Sequence, residues 1–325
     1  MTTRPHLILT AGDPAGIGPE ILLRLAGDPP DGVRLTFIVE PRALEVLRGT
    51  VPDHCFDRLD RDERLHVLDP GAGRPWSERP IVPGVPSRGD AHASLAALDL
   101  GVTQVTGGHG DALVTAPLSK AEIARYVDPD FRGHTDYLAQ QAGLERYGRD
   151  YLMAFLAPGL RVALLSTHLP LRDAIDRVTT AHLEDALRCM ARHTSGSIAV
   201  AALDPHAGEG GLLGTADDSI IRPAVDRLRA EGLDVHGPSS ADSLFARAQR
   251  GAFRWVLALY HDQGLIAVKT SAFGDATNWT LGLPYLRTSV DHGTAYDIAG
   301  RGEADASSLF AVVETTLGLI AEGGR

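Results

Sequence analysis

Three histidines stand where strand-like apolar runs end. Val162–Thr167 (VALLST) runs into His168, Ile198–Asp204 (IAVAALD) is followed by Pro205 and His206, and Trp255–Tyr260 (WVLALY) runs into His261. In an open α/β sheet, ligands bind beyond the carboxyl ends of the strands. One histidine at a strand end is an ordinary hydrogen-bonding group, but three at equivalent places point to a shared task. Three imidazoles suit a divalent cation such as Zn²⁺ or Co²⁺ and leave a coordination position for a substrate. The three are too far apart in sequence to form a local metal motif, so the expectation depends on strands that lie side by side.

Polar groups of other kinds surround these runs. Gly133-His134-Thr135-Asp136 offers an imidazole, a hydroxyl and a carboxylate just before a helical stretch. Two readings stand equal there: an anion site at the helix start, or a plain cap by Thr135 or Asp136. Lys269 follows His261 beyond a short apolar run and could reach the same cleft. Arg287 sits in LGLPYLRTSV, where an unpaired guanidinium would be costly, so it should have a fixed partner: an acidic side chain or an anionic substrate group. Of 31 Lys plus Arg, only Lys120 and Lys269 are lysines, and Asn278 is the one asparagine. In a chain that uses arginine almost everywhere, a retained lysine marks a position where a compact charge matters. The run GDPAGIG after the first strand does not fit the G-x-G-x-x-G dinucleotide fingerprint.

The elements that must position these groups alternate between strand and helix. His6–Thr10, Leu35–Glu40 and Ala112–Thr115 read as buried strands. Ala91–Thr106, Ala181–Arg192 and Ser219–Glu231 have helical periodicity, and Pro70–Asp90 reads as a surface loop that could cross between lobes. Such alternation predicts an α/β fold with a mostly parallel sheet.

The composition sets limits on function. Hydrophobic residues make up 44% and charged residues 22% of 325, ordinary for a globular chain that buries a sizeable core. A net charge of −11 argues against nucleic acid or an anionic membrane as partner, so an anionic substrate needs a local basic pocket. No apolar run is long enough to span a bilayer, and no signal-type segment opens the chain. Cys55 and Cys189 are far apart and fit two reduced thiols in a cytoplasmic protein.

The segments GDPAGIGPE, TAPLSK, FRGHTDYLA, THLPL, DPHAGEGG, YHDQGL and TLGLPYLRTSVDHGTAYDIAG occur in that order and span nearly the whole chain. Together they resemble the 4-hydroxythreonine-4-phosphate dehydrogenase family of vitamin B6 biosynthesis. Two of them are also similar to segments of the wider isocitrate/isopropylmalate dehydrogenase superfamily. The resemblance implies two interleaved lobes of that superfamily's kind, residues 1–115 with 270–325 and residues 116–269. It implies a divalent metal on His168, His206 and His261, with zinc first and cobalt or magnesium also fitting. It assigns the substrate to His134, Thr135, Lys269, Asn278 and Arg287, with His134 and Lys269 as the catalytic pair. It assigns NAD or NADP to His292, Gly293, Thr294 and Ala295, with Asp297 nearby. It further implies a homodimer with the active site at the subunit interface and metal ligands from both chains.

The activity so implied is oxidation of 4-phosphooxy-threonine to a β-keto acid, which loses CO₂ to give 3-amino-2-oxopropyl phosphate. Relatives on the same scaffold act on four-carbon sugar-acid phosphates or aromatic cis-dihydrodiols, which is the alternative. The chain departs from the family pattern at Asp204, where the family commonly has Asn before Pro-His, and this Asp could orient an imidazole. Trp279 beside Asn278 could restrict the substrate, and Lys120 is expected to shape the cleft from the other lobe.

Overall fold

The structure, a computed structural model, describes residues 4–272 and 275–323. Its strands are β1 His6–Thr10, β2 Arg34–Ile38, β3 Leu65–Leu68, β4 Ala112–Thr115, β5 Leu152–Ala157, β6 Leu160–Leu164, β7 Ile198–Ala201, β8 Val235–Ser239, β9 Trp255–Ala258, β10 Thr277–Leu281 and β11 Leu286–Ser289. The chain divides into two compact units, one reaching Leu138 and resuming at Pro284–Gly323, the other Ala139–Leu283.

In the first unit the strand order is β3-β2-β1-β4-β11, and every pair is parallel. Leu7, Ile8 and Leu9 are fully buried, as expected for strands covered on both faces. The helix Arg88–Thr106 starts at a reciprocal cap, in which Ser87 and Asp90 each accept the other's backbone amide. Gly101 lets this helix lie close to the sheet, since a Cβ there would stand 2.8 Å from Leu113 Cδ1 and 2.9 Å from Thr10 Cγ2.

Pro70–Asp90 lies within the first unit and does not cross between units. Arg79 pins it by binding the buried carboxylates of Glu40 (2.8 Å) and Asp90 (2.5 Å). The unit boundaries also fall later than residues 115 and 270. The reason is packing: Ile123 and Phe131 join Ala91 in one apolar cluster, with Leu118, Tyr126 and Tyr137 against it. That cluster holds the helix Lys120–Tyr126 on the helix Arg88–Thr106.

In the second unit β5 and β6 form an antiparallel hairpin through Pro158-Gly159, where Gly159 has φ +74°. β10 runs antiparallel to β5, while β6, β9, β7 and β8 follow in parallel. The carboxyl ends of β6, β9 and β7 are therefore neighbours, about 4.8 Å apart from strand to strand. Each strand ends earlier than its apolar run because side chains take over the hydrogen bonding. Gln263 accepts the Leu259 amide (2.7 Å) and donates to Ala202 O (2.8 Å), and Ser166 donates to Leu259 O (2.9 Å). Among the described residues no helix is long and apolar enough to cross a membrane.

Candidate active site

The first unit gathers a buried cationic corner. Arg287 lies on β11 opposite Leu113 of β4, is 1% exposed, and donates to Thr115 Oγ1 at 2.6 Å. Burial lowers its pKa to about 10. Two residues earlier, the buried Tyr285 hydroxyl has no hydrogen-bond partner among the described residues, and burial pushes its pKa up to about 12.

His134 begins the helix His134–Gln141, held in place by Tyr137, whose hydroxyl donates to Asp99 at 2.7 Å. Its Nε2 is buried and unpartnered among the described residues. Burial first, then the charges of Arg287 and Lys120, hold this imidazole well below its ordinary pKa, so it stays neutral. Thr135 beside it is 8% exposed. A neutral acceptor, a buried guanidinium and an exposed ammonium together make a place suited to an anion with a transferable proton. Lys120 belongs to this corner, in the same unit as His134 and Arg287.

The loops leaving β1, β4 and β11 share one strand edge. Asp13 of the glycine run accepts from Ala15 N at 2.9 Å and from the Tyr296 hydroxyl at 2.5 Å. Burial raises the pKa of both groups. Ile17 N donates to Thr294 O at 3.0 Å, and Ala295 takes a left-handed φ of +43°. The glycine run is thus the bed on which the turn His292–Ala295 rests. Within that turn Gly293 and the nearby Asp297 are exposed, while His292 Nε2 is buried without a partner among the described residues. Sequence reading missed this contact, and missed Thr115 and Tyr285. Thr115 at a strand end before Ala-Pro was the one available signal.

The second unit carries the three histidines. His168 follows β6 and His261 follows β9, and their ring centroids are 5.2 Å apart with planes tilted by 42°. His261 Nδ1 is 2.7 Å from Asp262 Oδ1. A carboxylate on Nδ1 fixes the tautomer that leaves Nε2 as a ligand. His206 is exposed at the start of a run of left-handed residues, His206 (φ +52°), Ala207 (+54°) and Glu209 (+42°). Asp242 is held below the ordinary carboxylate range, chiefly by the Ser240 hydroxyl. Among the described residues no three His, Cys, Asp or Glu side chains come together as a metal site, and the contact recorded among the three histidines is that of His168 with His261.

Among the described residues the Asp204 carboxylate bonds to no imidazole. It accepts the Ala216 amide at 3.2 Å, and the buried Asp217 accepts the amides of Leu203 (3.0 Å) and Asp204 (2.8 Å). Asn278 lies on β10 with its Oδ1 buried and unpartnered among the described residues. Trp279, on the opposite strand face, is 1% exposed and packs against Trp255 at 5.8 Å. It is core, and so places no limit on substrate size. Lys269 is exposed on the helix His261–Ala272.

A family profile described as pyridoxal phosphate biosynthetic protein PdxA matches residues 42–316, and the chain belongs to that family. It is 42% identical over 336 residues to the 4-hydroxythreonine-4-phosphate dehydrogenase of Acidithiobacillus ferrooxidans, covering 98% of each chain. It is 39% identical over 337 residues to the enzyme of that name from Chromobacterium violaceum, covering 100% of each. The crystal structure of 4-hydroxythreonine-4-phosphate dehydrogenase from Klebsiella pneumoniae is similar to it with a TM-score of 0.82 and 30% identity, over 96% of this chain and 97% of that one.

Proposed function

We propose that the chain oxidises 4-hydroxythreonine-4-phosphate with NAD or NADP and a divalent metal, in pyridoxal phosphate biosynthesis. The observation that carries this reading is the His168–His261 pair at adjacent strand ends, in a chain of this family. Two imidazoles side by side, one with its Nδ1 held by a carboxylate, fit a divalent cation with nitrogen preference. His168, His206 and His261 are the residues that would hold it. When bound, the cation lowers the pKa of the substrate hydroxyl and the nicotinamide accepts hydride.

The chain's own groups bind and move a proton. Arg287 presents a buried planar fork to a phosphate or carboxylate. Thr135 adds a hydroxyl, and Lys269 and Asn278 are the substrate contacts of the second unit. His134, neutral and with Nε2 unpartnered among the described residues, accepts the proton or hydrogen bond. The turn His292–Ala295, with Asp297, is the place for the nicotinamide cofactor. The oxidised product is a β-keto acid, whose loss of CO₂ gives 3-amino-2-oxopropyl phosphate.

A homodimer is part of this reading. No three-ligand group forms among the described residues of one chain, and exposed apolar side chains follow all three histidines: Leu169 and Leu171, Leu212 and Leu213, and Ile266. Exposed apolar groups beside an unfinished ligand set suit a second copy of the chain. The two buried, unlinked cysteines suit a reducing compartment, and the cytoplasm is the proposed location.

The test is a substrate panel read by nicotinamide absorbance, on protein stripped by chelator and on protein with metal restored. Turnover of 4-hydroxythreonine-4-phosphate that vanishes on chelation and returns with metal is expected. Preference for a sugar-acid phosphate or a cis-dihydrodiol would overturn the substrate, and undiminished turnover in stripped protein would overturn the metal.

A further inference from the structure

Lys120 has no role in the reading above, yet its position is specific. It opens the helix Lys120–Tyr126, which leaves β4 five residues after Thr115 and is capped by Ser119 accepting from Glu122 N (3.3 Å). Its side chain lies on Gly133, where a Cβ would stand 2.7 Å from Lys120 Cε and 3.2 Å from Nζ. Gly133 has φ +131° and directly precedes His134. The end of the Lys120 side chain therefore fills the space beside the residue that launches the His134 helix. The planar arginine fork used almost everywhere else in this chain is bulkier than the ammonium this contact accommodates.

The charges that face His134 are Arg287 from β11 and Lys120. On its own helix Asp136 is exposed, and on the helix Arg88–Thr106 Asp99 is engaged by the Tyr137 hydroxyl. We propose that Lys120, seated on Gly133, is a positioning residue that sets how His134 is presented and keeps its Nε2 an acceptor for the substrate. Arg287 is fixed in the sheet, so Lys120 is the one of these two cations whose side chain also occupies the space at Gly133, next to the imidazole. Its charge adds to burial and to Arg287 in holding His134 neutral. The proposal rests on the assignment of His134 to the substrate.

The experiment uses the full chain with Lys120→Met, Lys120→Gln and Lys120→Arg. Histidine NMR titration, with His134→Gln to assign the resonance, reads the His134 midpoint without any substrate. Lys120→Met and Lys120→Gln should raise that midpoint by roughly half to one unit, modest for a neighbouring charge because the ammonium is exposed. Lys120→Arg should hold the midpoint near wild type but lower kcat/KM several-fold, because the fork displaces Gly133. The acid limb of the kcat/KM profile should move up with the midpoint. An unchanged midpoint in Lys120→Met, or in Lys120→Gln should the first fail to fold, would overturn the proposal. A shifted midpoint in a protein that turns over none of the substrates would uphold the coupling and overturn only the substrate assignment.

Discussion

The cationic corner of the first unit and the histidine edge of the second differ in how finished they are. Arg287 and Tyr285 are buried, and His134 Nε2 is closed off from water, with Thr115, Tyr137 and Asp99 fixing the surroundings. At the histidine edge His168 and His206 are exposed and His261 is 35% exposed. Burying a guanidinium such as that of Arg287 costs stability, and preorganised polar sites accept that cost. Ligands for a metal need no such burial, because the metal itself orders them when it binds. The first region should therefore act as a fixed receptor, and the second as one ordered by its ligand.

The sharpest way to break this contrast is at the histidine edge. His168→Ala or His261→Ala should abolish metal binding and lower turnover by about three orders of magnitude or more, since the cation supplies several kcal/mol. Metal content and activity must fall together; full occupancy in either variant would remove the pair from the site. The corner should answer next. Arg287→Met deletes a buried, hydrogen-bonded charge, a change worth about 2–5 kcal/mol, or roughly 30- to 5,000-fold in kcat/KM. Metal content should stay at the wild-type level, and a loss of metal there would erase the distinction between the regions.

Proton uptake separates the two regions as well. His134 is held below its ordinary value, so its contribution to stability is present above about pH 6.5 and is lost as pH falls through its folded value. Thermal stability followed from pH 7 to pH 5 should drop less steeply in His134→Gln than in wild type. Equal slopes would show that the imidazole is not held neutral by its surroundings.

The α/β class and the strand ends at His168 and His261 were legible because apolar runs of strand length ending in histidine are local patterns. The buried setting of Arg287 was legible for a related reason, since its neighbours are apolar in sequence. What could not be read were contacts made through tertiary packing. Asp13 meets Tyr296 across most of the chain length, and no spacing rule links them. The place of Lys120 beside His134 was not legible, because the helix that carries it is held by Ile123 and Phe131 against Ala91, a cluster assembled from three separate segments. Trp279 looked like a limit on the substrate because the strand alternation that turns it away from Asn278 depends on where β10 begins.

The smallest expected effect tests whether the histidine edge is supported by Asp204. Its carboxylate is engaged by the Ala216 amide, and the neighbouring Asp217 is raised in pKa by burial, with the Asp204 charge adding to the rise. A buried acid with a raised pKa contributes stability that is present below its ordinary pKa and lost as pH rises through the folded value. At neutral pH it is a cost, and Asp204→Asn removes one part of that cost while keeping an oxygen for Ala216. The variant should melt within about 2 °C of wild type at pH 7, on the higher side, with kcat/KM changed less than about twofold. Metal affinity decides the matter. If Asp204 oriented an imidazole in the working enzyme, its replacement should weaken metal binding by about 10- to 100-fold. The contacts with Ala216 lead us to expect no such loss, and a loss of that size would mean that the loop from Asp204 to Asp217 rearranges when the metal binds.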